Sequence, residues 1–473
     1  MPFPWEIENF LDVRNGRLHI DGVSAVELAR EHGTPLFVFS ENRIRHNIER
    51  LRNVREVIDC DLKLCYAAKA MSTMGVLKAI REAGCDIEVN SGGELWKALK
   101  AGFAGEQIIF NGNSKEVREL EMAIDAGIYA IQVDSLYELS LIAETAMRLG
   151  KKANVSLRLV PEIESDTLSG LQTALLTSKF GMMPDEAFAG FREYKDSPHV
   201  ELCGIHLHIG SQNPDPAVYT EAFIALFEGL LQIYNDTGIR LKHLNLGGGF
   251  PVNYISGAAA ANDIPSENKQ MFEAGFEPAA AIASAWGAVK KLMSDSRSSE
   301  LFDDLTILLE PGRSIIAETA VCLTTVRNVK QRPVPRTADG LTTGTDRWLL
   351  TDAGFNILLS METYKWYYHL ISAERADEPH SFPYKVAGPL CDGGDVYFDI
   401  EGEGRLPAHR LLPENIQPGE ILALLDTGAY TLSQASQYNA RFLPPVVLID
   451  PAGDPRLIRR RDAFEDLVNA DIY

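Results

Sequence analysis

LKLCYAAKAMSTMGVLKAIREAGCDIEVNSGGELWKALKAG, residues 62–102, holds the alternation on which the fold turns. Leu62–Ala67 is a short apolar run of strand length. MGVLKAIREAG (74–84) then repeats apolar residues at helical spacing and stops at a glycine. Asp86–Asn90 is a second short run, and GELWKALKAG (93–102) a second glycine-terminated helix. Strands that alternate with helices imply parallel strands, because each helix carries the chain back over the sheet.

The pattern continues downstream. Further strand-like runs are Ile108–Asn111, Ala130–Asp134, Val155–Val160, Leu202–Ile209, His243–Leu246 and Leu305–Glu310. Eight such units in about 250 residues suggest a closed (β/α)8 barrel of the TIM type. An open doubly wound sheet is the competing topology. The glycines after Leu246 do not form GxGxxG, which weakens its dinucleotide-binding version.

After residue 313 the texture changes. AVCLTTVRNVKQR, RWLLTDAG, EILALLDTG and PVVLID read as strands separated by Gly, Pro and Asp turns. The N-terminal GRLHIDGVSAVELAREHGTPLFVFS is expected to add a strand or two to this β-rich part, a β-sandwich or barrel. The organisation is therefore an N-terminal segment over 1–38, a barrel over 39–313 and a β-rich domain over 314–473. Residues 252–280 read as an extended loop containing a short Ala run at 258–261, and 334–346 as a polar turn.

Composition bounds the function. The 473 residues are 45% hydrophobic and 23% charged, ordinary for a globular chain, and the net charge is −21. That charge argues against a nucleic-acid surface. None of the six cysteines forms a CxxC pair, and no Cys/His ladder has zinc spacing, so no metal is expected. Free thiols fit a reducing cytoplasm. The N-terminus MPFPWEIENF lacks a signal peptide's basic and apolar regions, and no run of 18 apolar residues calls for a membrane.

In such a barrel the chemistry sits where the strands end. These strands end at Lys69, at Glu88 and Asn90, at Asn111, at Asp134, near Arg158, at His206, His208 and Ser211, at Gly247-Gly248-Gly249, and at Glu310-Pro311-Gly312-Arg313. Taken singly, each has a plainer reading: a solvated lysine, a packed histidine, a glycine turn. Together they suit one cofactor. Glycine backbone and Arg313 can hold a phosphate. A lysine at the mouth can form an imine, and a carboxylate can keep a pyridine nitrogen protonated. That set calls for pyridoxal 5′-phosphate (PLP).

Seven motifs extend the reading over nearly the whole chain: YAAKA (66–70), SKFG (178–181), HLHIGSQ (206–212), NLGGGFP (245–251), EPGRSI (310–315), GPLCDGGD (388–395) and GAYTLSQASQYN (428–439). With them the chain resembles the alanine-racemase-type PLP decarboxylases of diaminopimelate, ornithine and arginine. The resemblance implies Lys69 as the imine lysine and His208 stacked on the ring. Ser211, Gly248, Gly249, Gly312, Arg313 and Tyr430 would hold the phosphate, and Glu310 would face the pyridine nitrogen. Glu88 would be the acidic residue near the imine. Cys391 would be a proton donor in a loop that crosses to the partner of a homodimer with shared sites. Asp392 would face the distal amino group of the substrate.

The substrate expectation rests on departures from that pattern. Diaminopimelate decarboxylases carry an Arg and a Tyr for the distal carboxylate, whereas TDAGFNILLSMETYKW (351–366) has no Arg. GPLCDGGD and the C-terminal LIRRRDAFEDLVNADIY resemble a D-ornithine/D-lysine decarboxylase branch. A basic amino acid is therefore expected, with Asp392 and Asp352 receiving its ammonium, and with Arg313 and Tyr430 also at the substrate. The alternatives are diaminopimelate, with Arg313 or Arg441 replacing the missing Arg, and a larger siderophore-pathway conjugate. A racemase and a non-catalytic regulatory paralogue are the remaining readings. The paralogue should have lost Lys69 or Cys391, and both are present. Phe355, Trp366 and Tyr367 either shape the pocket or belong to the core.

Overall fold

A computed structural model describes residues 3–472 except 161, 164–166, 168–170, 173–174, 176–177, 256–263, 265–268, 297–298, 335–343 and 403. The Ala run at 258–261 and most of the 334–346 turn lie outside the described residues. The chain divides into two compact units. One comprises 45–251 and 274–315, the other 1–44, 252–273 and 316–473. Residues 252–273 thus belong with the β-rich unit, although the sequence places them between two barrel units.

The first unit is a closed barrel of eight parallel strands: Asp61–Ala67, Asp86–Val89, Ile108–Phe110, Ala130–Val133, Ala153–Arg158, Val200–His206, His243–Asn245 and Thr306–Leu309. All eight runs picked out by the alternation are strands of this barrel, most of them shortened by one or two residues. The strands are buried nearly throughout, as expected when helices cover the outer face. Serines cap the following helices. Ser91 accepts from the Glu94 N–H ahead of Gly92–Ala101, and Ser135 from the Glu138 N–H ahead of Leu136–Leu149. Both helices end at a left-handed glycine, Gly102 and Gly150. Local sequence therefore sets where each strand stops, and with it where each polar residue emerges.

The β-rich unit is built around Leu36–Ser40, every residue of which is buried. This N-terminal strand pairs antiparallel with Ala320–Leu323 and parallel with Val446–Ile449. The N-terminal segment thus supplies a central strand of the larger sheet, and a separate antiparallel sheet of Leu11–Arg14, Arg17–Ile20 and Val23–Ser24. Among the described residues no helix is long and apolar enough to cross a membrane.

Candidate active site

Glu310 follows the last barrel strand and is 6% exposed. Asn245 Nδ2 donates to its Oε1 at 2.7 Å, and Asn111 Nδ2 to its Oε2 at 2.9 Å. Asn111 also donates to Glu88 Oε1 at 2.7 Å, and the second Glu88 oxygen is buried without a hydrogen-bond partner among the described residues. Two carboxyl groups thus share one amide in the buried interior. Burial first, and the charge of Glu88 second, push Glu310 up to about 7. His206 Nε2 lies 3.5 Å from Glu310, but burial holds its imidazole well below the usual range, so it is neutral. Glu310 is therefore a fixed acceptor aimed from the floor of the mouth, poised to share a proton with a basic nitrogen.

Lys69 sits in the single turn Ala68–Ala70 that follows the first strand, exposed between buried alanines. His208 lies two residues beyond the sixth strand. The Gly248 N–H donates to its Nδ1 at 3.2 Å, which leaves the ring proton on Nε2. Burial, reinforced by the charges of Lys69 and Arg158, holds this imidazole well below its usual pKa. A neutral flat ring at the mouth suits stacking.

Ser211, Gly248, Gly249, Gly312 and Arg313 come together from three separate loops. Arg313 Nε donates to Ser211 Oγ at 3.3 Å. A Cβ at Gly248 would collide with the Glu310 carbonyl oxygen, and one at Gly249 with that of Gly210. A Cβ at Gly312 would press on Ala67 and Ala70 at 3.1 and 3.2 Å. Gly249 also has φ +93°, open to glycine and strained for other residues. The backbone is thus packed as a bare surface beside a guanidinium, which suits an oxyanion. An amine, an oxyanion cradle and a carboxylate for a ring nitrogen are the three handles that PLP requires, and the residues fit it.

Tyr430, Cys391, Asp392 and Asp352 belong to the β-rich unit. Tyr430 has φ +54°, and its carbonyl accepts from Ser360 Oγ at 3.3 Å. Cys391 is exposed, and its N–H donates to Asn439 Oδ1 at 2.6 Å. Asp392 is also exposed. Its Oδ1 accepts from the Gly394 N–H at 2.9 Å, and its Oδ2 from the Tyr438 hydroxyl at 3.1 Å. The buried Asp395 ties this loop down, accepting from the N–H groups of Leu390 and Phe355, both at 2.8 Å.

Asp352 is already engaged within the fold. Its Oδ2 accepts from Arg327 Nε and Nη2 at 2.9 and 2.6 Å and from Thr34 at 2.7 Å. Its Oδ1 accepts from the Thr324 hydroxyl at 2.8 Å and the Thr325 N–H at 3.0 Å. Both oxygens are committed within the fold. Trp366 and Tyr367 are each 1% exposed and pack near Phe272, so they are core; Phe355 stacks on Tyr438.

Sequence reading missed Asn245 and Asp395, and gave Asn111 no role. Asn111 and Asn245 each end a barrel strand as a lone amide, a signal that gains meaning only once both point at Glu310.

Comparison with known proteins agrees with this chemistry. Residues 44–317 match the family profile described as "Pyridoxal-dependent decarboxylase, pyridoxal binding domain". The chain is 32% identical to diaminopimelate decarboxylase of Methanocaldococcus jannaschii over 98% of this chain and 96% of that protein. It is likewise 32% identical to diaminopimelate decarboxylase of Bacillus subtilis, over 97% and 96%. The M. jannaschii enzyme solved in complex with L-lysine superposes with a TM-score of 0.81 at 31% identity, covering 98% of both chains. The barrel, the cofactor handles and this likeness along the whole chain lead to one conclusion: the protein belongs to the pyridoxal-dependent decarboxylases and is a PLP-dependent amino-acid carboxy-lyase.

Proposed function

We infer that the protein decarboxylates a diamino acid whose distal end is a free ammonium, a basic amino acid of the D-lysine or D-ornithine type. The observation that carries this reading is the charge of the loops that would face the distal end. Asp392 offers an exposed carboxylate steadied by Tyr438. Residues 351–366 contain one cation, Lys365, and it already pairs with Glu362 and Glu401, each at 3.2 Å. Arg441 donates to the Pro389 carbonyl at 2.9 Å. The one cation of residues 351–366 is thus already paired, and a distal carboxylate would have to turn to Arg441, which lies outside that stretch, since an uncompensated charge is poorly held.

PLP supplies an electron sink for the bond to the departing carboxylate. The protein's residues do the rest. Ser211, Arg313 and the glycine backbone would anchor its phosphate, and Glu310 would hold a proton at its pyridine nitrogen. His208 would cover a ring face, Lys69 would hold the cofactor, and Glu88 sits beside Asn111 as the second buried carboxyl group. Tyr430 joins the phosphate and substrate contacts. Cys391 Sγ delivers the proton that replaces CO2. Two copies of the chain form a homodimer, in which Cys391 and Asp392 serve the partner's barrel.

A second reading is diaminopimelate. It is favoured by the relatives, which carry the name diaminopimelate decarboxylase and share about a third of their residues with this chain. CO2 release by the PLP-loaded protein separates the two. The panel is D- and L-lysine, D- and L-ornithine, L-arginine and meso-diaminopimelate. Turnover of lysine or ornithine is expected and sets the handedness. Turnover of meso-diaminopimelate alone would sink the first reading. Silence on the whole panel would leave the larger conjugate.

A further inference from the structure

The β-rich unit contains a cleft of about 660 Å3 that no step above uses. Its charged lining residues are Arg327, Arg441 and Arg461 against one carboxylate, Asp352. Asp352 already accepts five hydrogen bonds, so it offsets one guanidinium and has nothing left for the others. The lining therefore carries a net charge of two plus on a chain whose net charge is −21.

The arginines are held in place by the fold. Arg461 Nη2 donates to the Pro35 carbonyl at 2.9 Å, and Arg441 Nη2 to the Pro389 carbonyl at 2.9 Å. Arg327 is braced by Asp352 and Thr34. Each guanidinium has five N–H donors, and the hydrogen bonds of Arg441 and Arg461 use one nitrogen of each. Burial is the largest influence on Arg461 and draws its pKa down; Asp352 opposes this and Arg327 reinforces it. Guanidinium groups that line one cleft, with planar donors unspent on Arg441 and Arg461, match the fork geometry of an oxyanion.

We propose that this cleft is a binding site for a phosphate group, free or as the end of a phosphomonoester, held by Arg327, Arg441 and Arg461. The wall formed by Gly388, Pro389 and Leu390 runs directly into Cys391, so the site borders the loop that carries the proposed proton donor.

The test is calorimetric titration of the PLP-loaded protein with inorganic phosphate and with glycerol 3-phosphate, at an ionic strength fixed with chloride. One saturable site per chain is expected. Arg441→Gln and Arg461→Gln should each weaken it about tenfold or more, the loss of one charged hydrogen-bonding group. Arg118→Gln, at an exposed barrel arginine, should leave it unchanged. Tighter binding of the ester would assign the site to a phosphorylated metabolite, and tighter binding of phosphate to the free ion. Absence of saturable binding by both, or undiminished binding in Arg441→Gln, would overturn the proposal. Arg441 is exposed, so that variant decides the matter even where Arg461→Gln does not fold.

Discussion

Glu310 shows how one residue's environment sets its chemistry. Its ordinary carboxyl pKa of 4.5 rises to about 7 because it is buried beside Glu88, even though two amides donate to it. A group raised in the folded state binds its proton more tightly there than in the unfolded chain. The resulting stability is fully present below about 4.5 and is lost as pH rises to about 7. Glu310→Gln keeps the shape without the ionisation. The PLP-free variant should therefore be more stable than the wild type at pH ~8, by up to about 3 kcal/mol. The gain should shrink toward zero near pH ~5. Thermal unfolding of both proteins across this range measures it, and a pH-independent difference would contradict the assignment. Asp426, raised to about 8 by burial first and Glu318 second, adds its own slope to both proteins and cancels in the comparison.

The strand Leu36–Ser40 matters beyond its five residues. It reads LFVFS, without the polar–apolar alternation of a surface strand, because the sheet continues on both of its edges and both of its faces are covered. Phe39 is fully buried there. Phe39→Ala should cost about 3–5 kcal/mol, the transfer of the ring plus the cavity it leaves. Denaturant unfolding should show this as a large drop in midpoint. A change below about 1 kcal/mol would mean that the strand is not central to the core.

At the scale of the whole molecule, Lys69 belongs to the barrel unit and Cys391 to the β-rich unit. If active sites are shared across a homodimer, Lys69→Ala and Cys391→Ala disable different halves of a site. Equal mixing after dissociation then yields half heterodimers, each with one intact site, and about a quarter of wild-type activity should return. Recovery of CO2 release in the mixture checks this. Failure to recover, with subunit exchange demonstrated, would place Lys69 and Cys391 of the same chain in one site.

The sequence by itself determined the barrel and the strand ends at which its polar residues emerge, because both are written in local periods. Strand runs of four to eight residues, helical spacing and glycine stops mark where each strand ends, and Lys69, His208, Glu310 and Arg313 follow from those ends. Only the tertiary structure decided the pairings between distant residues. Asn111 and Asn245 stand 134 positions apart and meet at Glu310, which no local pattern records. Asp352 looks like a spare carboxylate in the chain, and the fold spends both of its oxygens on Thr34, Thr324, Thr325 and Arg327. The described residues within 252–273 lie among barrel elements in sequence and group with the β-rich unit in space. Hydrogen-bond saturation and packing depend on what the chain brings back from far away, and sequence spacing carries no record of that.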